Sequence, residues 1–320
     1  MNNWHLRIED EEGLGTKKLI HSSGKEILPA FGLVPSMTGV EGAYLSAQDW
    51  EQLGFPLLAF NLPQLLMKPG LESLLNAQDL NQFSCTSSAT LLNANFASSI
   101  KYRELGKSYQ FKSSFDGARI LLGHEIEQSL LRQLKPDFFV ASNEAFHEES
   151  TVINRYDKAN TLHQCGIGYA YVDKDYCSFD ELLTVLNEQR STHPDKLHYV
   201  IGNYNLRQLL LLLINGADLV ETSTLASDAI DGVLYATKSG IDLTQQQYES
   251  DFQPIDTQCP CYTCNHFTRA YLYHLHTQTP LLSKRLKIVH NLAFSQFVIN
   301  QLKQFSKQGK LREFINSYIM

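Results

Sequence analysis

The chain has 320 residues, of which 43% are hydrophobic, and this is enough to bury one large α/β domain or two smaller ones. Its acidic first residues do not resemble a signal peptide, and its longest aliphatic run, LLLLLI at 209–214, is too short to cross a bilayer. The net charge of -7 argues weakly against a nucleic-acid partner, and we expect a cytoplasmic protein without a membrane anchor.

Short apolar runs alternate with helical periods along the chain. The predicted strands are PLLAFNL (56–62), DFFVAS (137–142), GIGYAYV (166–172), LHYVIGN (197–203) and ADLVET (217–222). The predicted helices are HEIEQSLLRQL (124–134), SFDELLTVLNEQR (178–190) and LRQLLLLLI (206–214). This alternation predicts parallel strands, in either a (β/α)8 barrel or an open doubly wound sheet. Neither GxGxxG after an early strand nor GxxxxGK[ST] occurs, which disfavours the nucleotide-binding open sheets.

Three of the six cysteines lie within six residues, and in a reducing compartment such a cluster is typical of metal ligands. A Cys-x-Cys-x2-Cys turn followed by a distant helical histidine fills a tetrahedral zinc shell and leaves no open position. The predicted Zn²⁺ ligands are Cys259, Cys261, Cys264 and His290. Three further histidines are alternatives for the fourth position, although they follow the cysteines closely: His266, His274 and His276.

The segment 261–320 is basic, with eight Lys or Arg against one acidic residue, while the rest of the chain is acidic. A phosphate-contacting surface and ordinary solvated helix faces both explain such a segment. The metal site in the same segment favours the first interpretation. The predicted nucleic-acid-binding residues are Lys284, Arg285 and Lys287.

The phrases DFQPID, CPCYTC, TRAYLYHL and IVHNLAF stand in the order and spacing of a known zinc subdomain. On these residues the chain resembles the tRNA-guanine transglycosylases, also called queuine tRNA-ribosyltransferases, which exchange a guanine in tRNA for a 7-deazaguanine. The resemblance is dense over 231–294 and looser upstream. It implies a (β/α)8 TIM-like barrel over residues 1–250, with a C-terminal zinc-binding subdomain and barrel helix over 251–320.

Base exchange needs one carboxylate to attack the ribose C1′ and a second to move the proton between the bases. The resemblance assigns the nucleophile position to Glu221, where the family has Asp. It assigns the proton-transfer position to Thr86, and the base-recognising position to Asn143, beside Glu144. Gly168 belongs to a glycine pair that resembles the loops admitting the flat base.

Replacement of three acidic positions together favours a non-catalytic or degenerate subunit. The pattern resembles the non-catalytic partner of the two-subunit transglycosylases. This resemblance implies a chain that keeps the barrel, the zinc and a tRNA-holding surface, in a homodimer or a heterodimer with a catalytic paralogue. An active transglycosylase with Glu221 as nucleophile, on tRNA or another nucleic acid, and a zinc-stabilised barrel with an unrelated role remain as alternatives. Tyr169 and Tyr204 are interpreted as core aromatics in preference to base-stacking residues.

Overall fold

The computed structural model describes residues 4–9, 14–23, 27–96, 100–106, 108–141, 152–156 and 166–318. Its strands are β1 (Trp4–Ile8), β2 (Lys17–His21), β3 (Ile27–Pro29), β4 (Gly32–Val34), β5 (Leu57–Asn61), β6 (Ala89–Asn93), β7 (Tyr102–Leu105), β8 (Ser108–Lys112), β9 (Arg119–Gly123), β10 (Phe138–Val140), β11 (Val152–Arg155), β12 (Gly168–Val172), β13 (Leu197–Ile201), β14 (Leu219–Glu221), β15 (Val233–Leu234) and β16 (Ile241–Asp242). Its α-helices are α1 (Ala47–Leu53), α2 (Leu62–Met67), α3 (Leu71–Asn76), α4 (Leu80–Ser84), α5 (His124–Leu134), α6 (Phe179–Thr192), α7 (Leu206–Ile214), α8 (Thr224–Asp231), α9 (Tyr262–His266), α10 (Arg269–Gln278), α11 (Pro280–Lys307) and α12 (Leu311–Tyr318).

Eight parallel strands form one sheet, in the order β4, β5, β6, β10, β11, β12, β13 and β14 around the barrel. The sheet closes where Ser36, just after β4, forms a parallel bridge with Ala59 of β5. Spatial order follows chain order, as in a (β/α)8 barrel, and the open doubly wound alternative is excluded. The predicted fold class is therefore confirmed.

The amino-terminal sheet, β1 to β3, packs at the end of the barrel where its strands begin, because Trp4 donates to Asp137, just before β10. Trp4 and Leu19 of this sheet pack in one cluster with the side chains that fill the barrel interior. Beside them the Nζ of Lys17 lies 2.8 Å from the Oδ2 of Asp218, and both side chains are buried. A buried ion pair of this kind holds the small sheet in one position against the barrel, because separating either charge from its partner is costly.

Local sequence signals explain where several barrel helices begin and end. Helix α1 begins with a capping box between Ser46 and Asp49, and it ends at Gly54, whose φ of 65° suits glycine. Helix α7 begins with a second capping box, between Asn205 and Gln208. All five predicted strands and all three predicted helices are present, with ends that differ by at most two residues.

Helix α11 is 28 residues long and joins the cysteine segment to the barrel. It contacts α8, β4 and α1 of the barrel, and it also contacts α9, α10 and α12. Its buried residues belong to the same hydrophobic cluster as Cys264 and Leu33, so the core is continuous across residue 250. The predicted boundary at that residue stays a prediction. None of the described helices has the length and apolar character needed to span a membrane.

Candidate metal centre and barrel-mouth site

The cysteine loop is organised by backbone hydrogen bonds. The Oδ1 of Asp256 accepts from the backbone N–H groups of Gln258 and Cys259, and its Oδ2 accepts from the N–H of Thr237. Cys261 is the N-cap of α9, and its Sγ accepts from the N–H of Cys264 at 3.3 Å. These contacts point the three sulfur atoms toward one centre before any metal is considered.

The structure brings the four predicted metal ligands together: Cys259, Cys261, Cys264 and His290. All four are buried, and their ligand atoms lie within 4.8 Å of one another. The Nδ1 of His290 is 3.9, 3.5 and 3.3 Å from the three sulfur atoms in chain order. Bond lengths of about 2.3 Å to sulfur and about 2.0 Å to nitrogen place tetrahedral ligands about 3.5 Å apart. The donor set therefore fits a tetrahedral ion.

The outer nitrogen of His290 is also held. Its Nε2 lies 2.7 Å from the carbonyl oxygen of Tyr235, a contact that orients the ring and leaves Nδ1 as the ligand atom. The other histidines have different neighbours, because the Nδ1 of His266 contacts the carbonyl of Tyr262 and the Nδ1 of His276 contacts Lys287. Hydrogen bonds from the neighbouring thiols lower the pKa of Cys261 well below its ordinary value, which favours a thiolate there.

Glu221 lies at the carboxyl end of β14 and lines a cavity of about 460 Å³ at the mouth of the barrel. The Oε2 of Glu221 accepts a hydrogen bond of 2.6 Å from the hydroxyl of Tyr199 and one of 2.9 Å from the Nδ2 of Asn93. Burial raises the pKa of this carboxyl group above its ordinary value. The predicted nucleophile position is thus in the barrel mouth, where TIM barrels carry their active sites.

The other predicted substrate-binding residues are not brought together with Glu221. Thr86 precedes β6, at the amino-terminal side of the barrel, and its hydroxyl contacts the Oγ of Ser84. Gly168 begins β12 at the same end, and a Cβ there would lie 2.2 Å from the carbonyl oxygen of Leu197. Its lack of a side chain therefore serves close packing between strands. Asn143 and Glu144 lie outside the described residues.

Two asparagines that the sequence did not single out line the cavity with Glu221. The Oδ1 of Asn93 accepts from the backbone N–H and the Nδ2 of Asn95, so its own Nδ2 is the atom turned toward Glu221. The buried Oδ1 of Asn95 has no partner among the described residues. The only signal in the sequence is LLNAN, polar residues that follow a buried strand, and it was missed because this strand was not predicted.

Asp173 and Gly202 meet at the ends of β12 and β13. The Oδ2 of Asp173 accepts from the backbone N–H of Asn203 at 3.1 Å, and a Cβ on Gly202 would lie 2.6 Å from this carboxylate. The Asp173 side chain therefore covers the open face of Gly202. Tyr204 is buried and packs near Phe179, as expected for a core aromatic.

Glu41 was also missed by the sequence reasoning. Its side chain is fully buried beside the cavity, where its Oε1 accepts from the N–H of Ser36 at 2.7 Å and from the hydroxyl of Ser223 at 3.2 Å. Its Oε2 has no partner in the described part of the chain. Burial raises the pKa of Glu41 to about 7. A second titratable carboxyl group therefore lies directly below the barrel mouth.

The three cations predicted to bind phosphate are engaged within the protein. Lys287 is 0% exposed, and its Nζ donates to the carbonyl of Ile230 at 2.9 Å. Arg285 forms two hydrogen bonds with the carboxylate of Asp49, at 2.9 and 2.6 Å. Lys284 lies over the ring of Tyr44 and donates to its hydroxyl. The prediction is corrected for Lys287, which is inaccessible to a phosphate, and Arg285 would first have to leave its partner.

Comparison with known proteins assigns the chain to a family. A family model described as queuine tRNA-ribosyltransferase matches residues 159–320, half of the chain. A queuine tRNA-ribosyltransferase of Treponema denticola is 24% identical over 95% of this chain and 92% of its own length. Proteins of that name from Francisella tularensis subsp. novicida and Blochmanniella pennsylvanica are 23% and 24% identical, over 91% and 98% of this chain and 91% and 97% of their own lengths. The chain belongs to the queuine tRNA-ribosyltransferase, or tRNA-guanine transglycosylase, family.

Proposed function

We propose that this protein takes part in queuosine-type base modification of tRNA as a zinc-binding subunit that does not itself catalyse the exchange. It holds tRNA, a catalytic partner, or both. Family membership and the names of its relatives support the link to tRNA. The absence of catalysis is inferred from the chemistry of the barrel mouth.

The observation that carries this proposal is the contact between Asn93 and Glu221. Base exchange needs a carboxylate free to attack C1′ and a group that transfers a proton to the departing guanine. The end of β6 instead presents the amide of Asn93, which donates to the Oε2 of Glu221, and the hydroxyl of Tyr199 donates to the same oxygen. An amide neither accepts nor releases a proton at neutral pH, so this pair supports a structural role for the carboxylate.

The position of Asp173 supports the same conclusion. A flat base is best admitted where a strand ends in glycine, because the backbone can then contact the base directly. Here the carboxylate of Asp173 covers Gly202 and accepts from the adjacent backbone N–H. A guanine entering this space would have to displace a charged group and its hydrogen bond.

An active transglycosylase with Glu221 as nucleophile is the alternative function. One observation favours it: Asp173 and Glu221 line the same cavity, so two carboxylates are present at the barrel mouth. In that case Asp173 would transfer the proton. The exchange experiment below distinguishes the two functions.

We propose Zn²⁺ as the ion of the Cys3His group, because three thiolates and one imidazole are typical zinc ligands. Four protein ligands leave no position for water, which supports a structural ion that supplies folding free energy. We likewise propose residues 251–320 as a zinc-binding subdomain that shares its long helix with the barrel.

A second chain is the proposed protein partner, either another copy or a catalytic paralogue. Support comes from a row of aromatic side chains along α9 and α10, with Phe267 and Tyr271 stacked at 5.8 Å. Tyr262 and Tyr271 are each about half exposed. Exposed aromatic residues are enriched at protein interfaces. Cytoplasmic localisation stays a prediction.

The proposed function is tested by incorporation of labelled guanine into unmodified tRNA. The purified chain alone should give no incorporation, and addition of a paralogue with intact catalytic aspartates should restore it. Glu221→Gln should not change the restored rate, because this carboxylate does no chemistry under the proposal. Glu72→Gln, which removes an exposed carboxylate on α3 that does not line the cavity, serves as a matched control for loss of one carboxylate.

The two functions predict opposite results for the chain alone. Steady incorporation by the purified chain that is abolished by Glu221→Gln and retained by Glu72→Gln would overturn the proposal. It would establish the active transglycosylase in its place.

A further inference from the structure

A cavity of about 1220 Å³ lies between the β7–β9 sheet and α2. It adjoins the cavity of Glu221, because Thr38, Gly39 and Gln64 line both. A ligand bound at the barrel mouth could therefore extend directly into this larger cavity. We call it the basic groove, after the five cations that line it: Lys68, Lys101, Arg103, Lys112 and Arg119.

The charge of the basic groove is unbalanced. All five cations are exposed, and none forms an ion pair with a described residue. No acidic side chain is among the described residues that line the groove. A concave surface with charges of one sign concentrates the field and attracts ions of the opposite sign.

Strand register explains how these charges come together. Lys112 of β8 lies directly opposite Arg119 of β9, and Arg103 of β7 lies opposite Gln110. Continuing the same register by one residue brings Lys101 beside Lys112. The opposite face of β8 carries Tyr109 and Phe111, both buried, so the cations occupy the face turned to solvent.

Like charges directly opposite each other destabilise a sheet, and this sheet carries no acid on that face to offset them. An anion bound between Lys112 and Arg119 would turn the repulsion into two attractive contacts. This arrangement indicates a ligand with several negative charges spaced along its length.

Exposed aromatic rings accompany the cations. Phe115 is 65% exposed and Phe83 is 41% exposed, and both line the basic groove. The Nζ of Lys68 lies 5.1 Å from the centre of the Phe115 ring. Cations that follow a phosphate backbone and rings on which bases stack are the two components of single-stranded nucleic-acid sites. An acidic protein segment would satisfy the charges but would make no special use of the rings.

We propose that the basic groove binds the single-stranded RNA that flanks the nucleotide presented at the Glu221 cavity. This inference rests on the proposed function, since it takes the nucleic-acid partner to be tRNA. It assigns the phosphate contacts to the β7–β9 sheet and Lys68, and the stacking contacts to Phe115 and Phe83. Lys284, Arg285 and Lys287 have no part in it.

The test is fluorescence-anisotropy binding of a labelled 12-nucleotide single-stranded RNA to the full chain over a range of salt concentrations. The variant Lys101→Gln/Lys112→Gln/Arg119→Gln should weaken binding at least about tenfold and flatten the slope of log Kd against log salt by about 2, since each contact with a single strand contributes about 0.7. Phe115→Ala should weaken binding about fivefold or more and leave the slope unchanged, because stacking involves no counterion release.

A charge-matched control is Arg132→Gln/Lys310→Gln/Arg312→Gln, which removes three exposed cations outside the basic groove. For this control, the slope of log Kd against log salt should change much less than for the groove variant. All of the substituted side chains are exposed, and thermal melting of each variant verifies the fold. Equal effects of the two triple variants would overturn the inference, as would displacement of the RNA by polyglutamate at equal charge concentration, which would identify an acidic protein segment as the ligand.

Failure of this inference and failure of the proposed function give different results. If wild-type chain binds RNA and the groove variant binds equally well, the groove assignment falls while the subunit role stands. If the groove variant binds weakly but the purified chain exchanges guanine on its own, the groove assignment stands and the subunit role falls.

Discussion

The Cys3His centre and the barrel mouth are built differently from the same chain. The metal centre has all of its donors, and the backbone carbonyl of Tyr235 holds the one imidazole. The barrel mouth has the carboxylate of Glu221 at the expected strand end, but amides and a tyrosine hydroxyl surround it. A tetrahedral ion requires every ligand at once, whereas a barrel-mouth cavity keeps its shape when one strand-end side chain is replaced by another. Completeness of the metal centre therefore says nothing about catalysis at the mouth.

Loss of a metal ligand should have the largest effect on the protein. Cys261→Ser removes one of four donors from a buried ion and should lower the zinc content from about one per chain. With several kcal/mol of folding free energy lost, the melting temperature should fall by about 10 °C or more. Differential scanning calorimetry and metal analysis check this prediction.

Cys177→Ser is the matched control, because this cysteine is exposed and lies outside the metal centre. It should leave both zinc content and melting temperature unchanged. Two results together would contradict the proposed metal centre: protein purified in reducing buffer contains no metal, and both variants have the same melting temperature.

Ionisation of the buried Glu41 carboxyl group should have a smaller effect on the free energy of unfolding, and this effect depends on pH. The pKa of this group is about 7 in the folded protein against an ordinary value of 4.5, because burial disfavours the charged form. Its contribution to stability is therefore fully present below about pH 4.5 and is lost as the pH rises to about 7 and above, by about 3 kcal/mol in all.

Glu41→Gln cannot ionise and should lack this loss, so its melting temperature relative to wild type should rise between pH 4.5 and pH 8. Changes at the metal centre affect both proteins equally and cancel in the difference. Glu72→Gln, an exposed carboxylate on α3, is the control. If the difference in melting temperature between Glu41→Gln and wild type is constant over this pH range, the buried Glu41 carboxyl does not titrate within it.

Much of the fold could be predicted because local sequence patterns determine its strands and helices. The uninterrupted apolar runs of the five predicted strands and the periods of α5, α6 and α7 were found from the hydrophobic pattern alone. The metal centre was found because three of its ligands are adjacent in the chain. Strands β4, β6 and β11 are no shorter than the predicted β10 and β14, but they were not predicted, since glycine or polar residues interrupt their apolar runs GLV, ATLLN and VINR.

The partners of the charged side chains could not be predicted in the same way. Lys287 and Lys112 are both lysines in basic stretches, yet one is buried against a backbone carbonyl and the other is exposed on a sheet. Only helix packing and strand register separate the two environments. Asn93 and Glu41 were missed for a related reason, because their importance arises from a contact with Glu221 or from burial beside it, far away in sequence.

We propose that Glu221 is a structural carboxylate in a protein that binds tRNA without attacking it. The most direct test of this proposal is to mix the purified chain with unmodified tRNA and a 7-deazaguanine, denature the mixture, and search for a covalent protein–RNA adduct by gel and by mass. We predict no adduct on this chain, and in a mixture with a catalytic paralogue we predict an adduct of the paralogue only. An adduct on this chain that disappears in Glu221→Gln would contradict the account.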